Sequence, residues 1–259
     1  MFSGKRAMIR PLSAGEVRIW WMDLGPAEDS AIGQWRGCLD EAEHAQAARF
    51  HFHADRLTYI AAHWLVRQAL ASVDGLPAAD WRFVVEKHGK PVIDPALDRP
   101  DLRFNLSHTR GFVACAVSLG IPVGIDVEAL SRATTGLDIA EQFFSRSELS
   151  ILRAVDEDQR STTFLRFWTL KEAFIKATGE GLYRPLESFS FSLDPVSIAF
   201  DAGVDDASSW KFFELRPTPR HLLALALRHS GPWPLTLSTC PQQLPGQAGT
   251  LRYPGSGSA

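Results

Sequence analysis

The sequence predicts an α+β protein of two similar lobes, each a strand–helix–sheet unit. Two observations predict it. The segment WLVRQALAS at 64–72 aligns without gaps on WTLKEAFIK at 168–176: tryptophan, a basic residue three positions on, Gln or Glu, then Ala. The first strands of the two halves, near 19 and near 125, lie about as far apart as these segments do, which marks an internal repeat. The halves join near 119–122, and a cleft between two pseudo-symmetric halves is a natural place for a ligand.

The elements follow in order. Residues 17–24, VRIWWMDL, are rich in β-branched and aromatic side chains and predict a strand. A long helical region spans about 40–73 and stops at Asp74-Gly75-Leu76-Pro77. Residues 81–86 predict a strand, and His88-Gly89-Lys90-Pro91 a turn. Short strands at 102–106 and 112–119 flank a polar turn at 107–111. The second half restarts with a strand at 123–128, helices at about 136–144, 147–155 and 159–178, and strands at 188–193, 210–215 and 222–228. This divides the chain into an N-terminal lobe, 1–121, a C-terminal lobe, 122–240, and a tail, 241–259. Pro, Gly, Ser and Gln dominate the tail, which predicts poor order there.

Composition narrows the function classes. A chain of 259 residues with 45% hydrophobic content has enough apolar surface for a packed core. Twenty-seven basic against 30 acidic residues give a net charge of −3, which argues against a strongly basic nucleic-acid binder. A polyanionic ligand must then be held by a local cluster. Cys38, Cys115 and Cys240 are odd in number and lack metal-ligand spacing, which fits a reducing cytoplasm. The N-terminal basic residues precede no apolar signal core, and no apolar run approaches the ~20 residues needed to span a bilayer. The expectation is a soluble, cytoplasmic protein with no membrane and no nucleic-acid partner.

Three features carry chemistry. In Gly124-Ile125-Asp126-Val127-Glu128, strand alternation puts Asp126 and Glu128 on one face. Two neighbouring carboxylates repel unless a proton or a cation lies between them, and a few hard oxygen ligands suit Mg²⁺. The plain alternative is a solvated strand face. The segment 164–182, FLRFWTLKEAFIKATGEGL, is an apolar helix that nonetheless carries Lys171, Glu172 and Lys176. Trp168, Glu172 and Lys176 recur at i, i+4 and i+8 along one stripe; the plain alternative is a surface Glu172–Lys176 pair. Lys87, His88, Lys90, Arg103, His108 and Arg110 make a basic enrichment in an acidic chain, around Gly89 and Ser107. Such a set can hold several phosphates, or be a solvated loop.

Taken together and in this order, the segments resemble the 4′-phosphopantetheinyl transferase superfamily, in its Sfp-type (surfactin-synthetase-activating) branch. The resemblance runs from about 49 to 191 and rests on GKP at 89–91, FNLSH at 104–108, GIDVE at 124–128, FFSRSE at 143–148 and FWTLKEAFIKATGEGL at 167–182. It implies a pseudo-dimer of two α/β lobes, each a small, mainly antiparallel sheet packed on a long helix. Coenzyme A is expected in the cleft, and the protein is expected to be a monomer. It implies transfer of phosphopantetheine from coenzyme A to a serine of an acyl or peptidyl carrier protein, releasing 3′,5′-ADP.

The resemblance also implies residue roles. Asp126, Glu128 and Glu172 are expected to hold Mg²⁺, with Glu172 also taking the serine proton and Lys176 stabilising the leaving group. Lys90, Ser107 and His108 are expected at coenzyme A, as is Lys171, which supports the site or a phosphate. Lysines expected before the Arg49-Phe50 pair are missing, so Arg49 and Arg56 are expected to substitute for them in part. Leu137 and Phe143 are expected to receive the carrier, and Glu148 to lie near the carrier and metal face. A Mg²⁺-dependent hydrolase of nucleotide pyrophosphates and a non-catalytic coenzyme A- or carrier-binding module use the same residues. They remain the alternatives.

Overall fold

The computed structural model describes residues 9–25, 33, 35–132, 136–201, 205–231 and 235–242. The first half runs β1 (Glu16–Asp23), α1 (Glu41–Ala48), α2 (His53–Asp74), β2 (Phe83–Val85), β3 (Pro91–Ile93), β4 (Leu102–Thr109) and β5 (Phe112–Leu119). The second runs β6 (Val123–Ala129), α3 (Leu137–Phe143), α4 (Arg146–Ala154), α5 (Glu157–Thr178), β7 (Phe189–Leu193), β8 (Val196–Phe200), β9 (Trp210–Thr218) and β10 (His221–Arg228). A last strand, β11 (Thr236–Pro241), follows.

The repeat extends to the topology. One sheet has the order β1-β5-β4 with β11 added outside β1, and the other has the order β6-β10-β9. Pairing is antiparallel throughout both, except that β11 lies parallel to β1. Each half carries one 22-residue helix, α2 or α5, and a two-stranded hairpin. Both helices end on a left-handed glycine, Gly75 (φ 94°) and Gly179 (φ 78°), a conformation that costs other residues about 1 kcal/mol or more.

Strand alternation sorts the side chains into three cores. Trp20, Met22, Val113, Cys115 and Val117 pack under α2. Leu222, Ala224 and Ala226 pack under α5. The opposite faces meet in a third core, where Val17, Ile19, Ala114 and Ala116 join Ile125, Val127, Leu223 and Leu225. The lobes are therefore joined by a buried apolar layer.

A buried acid–base pair recurs in each lobe. Asp40 and Glu43 form a capping box at the start of α1, and Ser145 and Glu148 form one at the start of α4. Glu43 reaches Arg67 at 2.8 Å and Glu148 reaches Lys171 at 2.9 Å. This corrects the expected continuous helix over 40–73, because a straight helix would set residues 43 and 67 about 36 Å apart. The chain breaks at 49–52 and folds back, and Phe52 enters α2 from an extended conformation.

Two other expectations change. Polarity made 107–111 look like a turn, but β4 continues to Thr109 and only Arg110 and Gly111 separate it from β5. Residues 236–240, placed by sequence at the end of the second lobe, and Pro241, placed in the tail, add a strand to the first sheet. Of the expected tail, 243–259 lies outside the described residues. Among those described, no helix is long and apolar enough to cross a membrane.

Candidate active site

The segments at 124–128 and 167–182 meet because their contact residues, Gly124, Ala173 and Ala177, are small. Gly124, Asp126 and Glu128 alternate with Ile125 and Val127, which face the inter-lobe core. A Cβ on Gly124 would lie 2.0 Å from the carbonyl oxygen of Ala173 and 2.4 Å from the nitrogen of Ala177. Helix α5 thus rests its backbone on β6, and only glycine permits that approach. Glu172 and Lys176 come alongside the acids of the strand as a result.

Lys176 Nζ donates to Asp126 Oδ1 at 2.6 Å and to Ser107 Oγ at 3.2 Å. Ser107 Oγ donates in turn to Asp126 Oδ1 at 2.8 Å. Thr109 Oγ1 lies 3.4 Å from Glu128 Oε2. The other carboxylate oxygen of Asp126, Oδ2, is buried and has no hydrogen-bond partner among the described residues. Such an atom forfeits its hydration without compensation, at a cost of about 1–3 kcal/mol or more. Burial raises the Glu172 carboxyl; Lys176 opposes this, and Asp126 and Glu128 add to it, leaving it at about 7.

Three hard oxygen donors, an orphaned buried carboxylate oxygen and an acid raised by burial and, to a lesser extent, by two neighbouring acids fit a divalent cation in donor chemistry. The ligating geometry is not preformed: among the described residues no group of three or more His, Cys, Asp or Glu side chains is close enough to hold a metal. Lys176 neutralises Asp126 instead.

Other expected residues are distributed as follows. His108 is exposed near the end of β4, where partial loss of solvent and then the charge of Lys176 lower its pKa. Lys90 Nζ donates to the carbonyls of Lys176 (2.6 Å) and Ala177 (3.3 Å), so the first lobe caps the end of α5. It also lines a cavity of about 500 Å³ with Arg103, Val123 and Thr178, but none of the three acids does. Arg49 is exposed and Arg56 half-buried in the first turn of α2; no bond among the described residues joins either to the acids.

Lys171 and Glu148 do not stand where the resemblance put them. Neither side chain has any exposed surface, and Lys171 also donates to the carbonyls of Leu186 and Phe189. That leaves Lys171 no donor for a phosphate and Glu148 no surface for a carrier. Leu137 and Phe143 are half-buried against the second-lobe core, Phe143 edge-on to Trp168 at 6.1 Å. Ile139, between them in sequence, is the exposed apolar residue of α3.

Among the described residues, the repeat does not duplicate this charged set. Asp126 pairs with Ala224 of β10 as Trp20 pairs with Cys115 of β5, and the helix alignment sets Glu172 on Gln68 and Lys176 on Ser72. The first-lobe counterparts of Asp126, Glu128, Glu172 and Lys176 are therefore Trp20, Met22, Gln68 and Ser72, none of them charged. Asn105 and Gly124 escaped sequence reasoning; the alternation Asn105, Ser107, Thr109 would have exposed the first had β4 been extended.

The 4′-phosphopantetheinyl transferase superfamily profile matches residues 122–234, and the profile "4′-phosphopantetheinyl transferase, N-terminal" matches 27–119. The chain is 33% identical to the 4′-phosphopantetheinyl transferase HetI of Nostoc sp., over 85% of this chain and 91% of that protein. It is 39% identical to a 4′-phosphopantetheinyl transferase of Bacillus subtilis, over 72% of this chain and 74% of the relative. A holo-(acyl-carrier-protein) synthase from Bacillus anthracis, solved in complex with CoA (3′,5′-ADP), aligns over 42% of this chain and 96% of its own at 16% identity and a TM-score of 0.36. With two profiles covering both lobes and a relative matched along nearly its whole length, the chain belongs to the 4′-phosphopantetheinyl transferase superfamily.

Proposed function

We propose that this transferase moves the 4′-phosphopantetheine group of coenzyme A onto a serine hydroxyl of an acyl or peptidyl carrier protein, at the seam of β6 and α5. The observation that carries this reading is the orphaned, buried Asp126 Oδ2 beside a glutamate raised to about 7. Asp126, Glu128 and Glu172 would hold Mg²⁺, which supplies charge neutralisation at the pyrophosphate.

The remaining chemistry belongs to the chain. Glu172, poised near neutrality, accepts the proton of the carrier serine. The serine oxygen bonds to the phosphorus that bears pantetheine, the bond to the bridging oxygen breaks, and 3′,5′-ADP leaves. Lys176 Nζ, on the same side as Asp126 and Ser107, carries positive charge toward that leaving phosphate. His108, exposed on β4 of the first lobe one residue from Ser107, would meet coenzyme A. One charged site per chain fits action as a monomer, and a reducing cytoplasm fits the three free thiols.

The test is intact-mass analysis of an apo carrier incubated with coenzyme A and Mg²⁺. The carrier should gain the mass of phosphopantetheine, and a chelator should prevent the gain. Glu172→Gln and Asp126→Ala should each lose at least ~10²-fold in rate. Hydrolysis of coenzyme A with the carrier unmodified would overturn the reading.

A further inference from the structure

β6 is an edge strand, with β10 on one side only. Two of its backbone amides are met by side chains of the other lobe. Asn105 Oδ1 accepts from the Ile125 N–H at 2.8 Å, and Ser107 Oγ accepts from the Val127 N–H at 3.3 Å. These two amides flank Asp126 on both sides. Asn105 is 4% exposed, and its side-chain oxygen is committed to this bond.

The repeat supplies an internal control. Asn105 pairs with Ala116 and Ser107 with Ala114 on β5; at the matching places, Phe213 pairs with Leu225 and Leu215 with Leu223 on β10. Phe213 and Leu215 pack on the inter-sheet core. The amide and the hydroxyl therefore stand only on the copy of this strand that meets the acids. The counterpart of β6, strand β1, has its outer edge closed by ordinary backbone pairing with β11. Backbone pairing would bring a neighbouring strand to about 4.8 Å and continue the sheet. Side-chain bridges hold β6 at a fixed register while leaving the lobes as separate sheets.

We infer that Asn105 is a positioning residue for the transfer: through the Ile125 amide it fixes β6, and with it the Asp126 carboxylate, relative to the first lobe. This rests on the proposed role of Asp126. The substrate groups of the first lobe and the acids of the second must keep a set distance, and a misplacement of about 1 Å can cost ~10²-fold in rate.

The experiment compares Asn105→Ala and Asn105→Asp with the wild type in steady-state transfer, and by hydrogen exchange of the 123–129 segment. Asn105→Ala should lower kcat at least ~10-fold with KM for coenzyme A and carrier nearly unchanged, and should speed exchange at Ile125. Asn105→Asp keeps an oxygen acceptor and should regain most of the lost kcat and the slow exchange. Should Asn105→Ala fail to fold, Asn105→Ser carries the same comparison. An unchanged kcat with faster exchange would make the bond purely structural, and a raised KM for coenzyme A alone would make Asn105 a ligand contact; either overturns the inference. Absence of transfer by the wild type would instead defeat the proposed function.

Discussion

Glu148 Oε2 lies 2.9 Å from Lys171 Nζ, and neither side chain has exposed surface. The pair ties the start of α4 to the middle of α5, as Glu43 and Arg67 tie α1 to α2. Removing one partner strands the other charge in a medium that cannot solvate it. Lys171→Met or Glu148→Gln should therefore lose about 3–5 kcal/mol in denaturant unfolding. Catalytic constants of the folded fraction should stay near those of the wild type. A raised KM for coenzyme A at unchanged stability would return Lys171 to the ligand.

The first-lobe pair predicts an acid limb of stability. Burial raises the Glu43 carboxyl, but the hydrogen bond and charge of His63, the charge of Arg67 and the Asp40 N–H together hold it at about 2. A folded-state pKa below the unfolded value means that the unfolded chain binds the proton more readily. The contribution is thus complete above the ordinary carboxyl value of 4.5 and is lost as pH falls from there toward about 2. Melting temperature followed from pH 6 down should fall across that window, and Glu43→Gln should flatten this part of the fall while lowering the plateau.

Gly124→Ala should be far costlier than its size implies. The new methyl would meet the backbone of α5 at 2.0 and 2.4 Å, where no side chain can turn away. The helix must lift from β6, which separates Glu172 and Lys176 from Asp126. A loss of about 3 kcal/mol or more, or failure to fold, is expected in thermal unfolding, with a fall in kcat in any folded fraction. Wild-type stability in this variant would show that α5 and β6 do not touch as described.

Lys176→Met removes the donor that neutralises Asp126 at 2.6 Å. Rapid-quench kinetics should show kcat reduced at least ~10²-fold with carrier KM little changed, because charge stabilisation of the leaving phosphate is lost and docking is not. A change confined to KM would assign Lys176 to substrate binding.

The sequence alone determined the two-lobe repeat, because each half reuses the same helix pattern: Trp64 and Trp168, Arg67 and Lys171, Gln68 and Glu172. It also determined that Asp126 and Glu128 share a face, since strand alternation has a fixed period. It misjudged Lys171, since a charged residue on an apolar helix reads alike whether it meets a phosphate or a buried glutamate. Only the tertiary structure supplied Glu148 as that partner, from 23 positions away. Only the fold, too, revealed that Ser107 continues a strand and that Asn105 holds the Ile125 amide. Those contacts join β4 to β6 across the lobes, and no local period or propensity encodes which edge strand will lie beside which. That Lys176 reaches Asp126 was decided by Gly124 under α5. Close backbone approach leaves no mark in the sequence beyond a missing side chain.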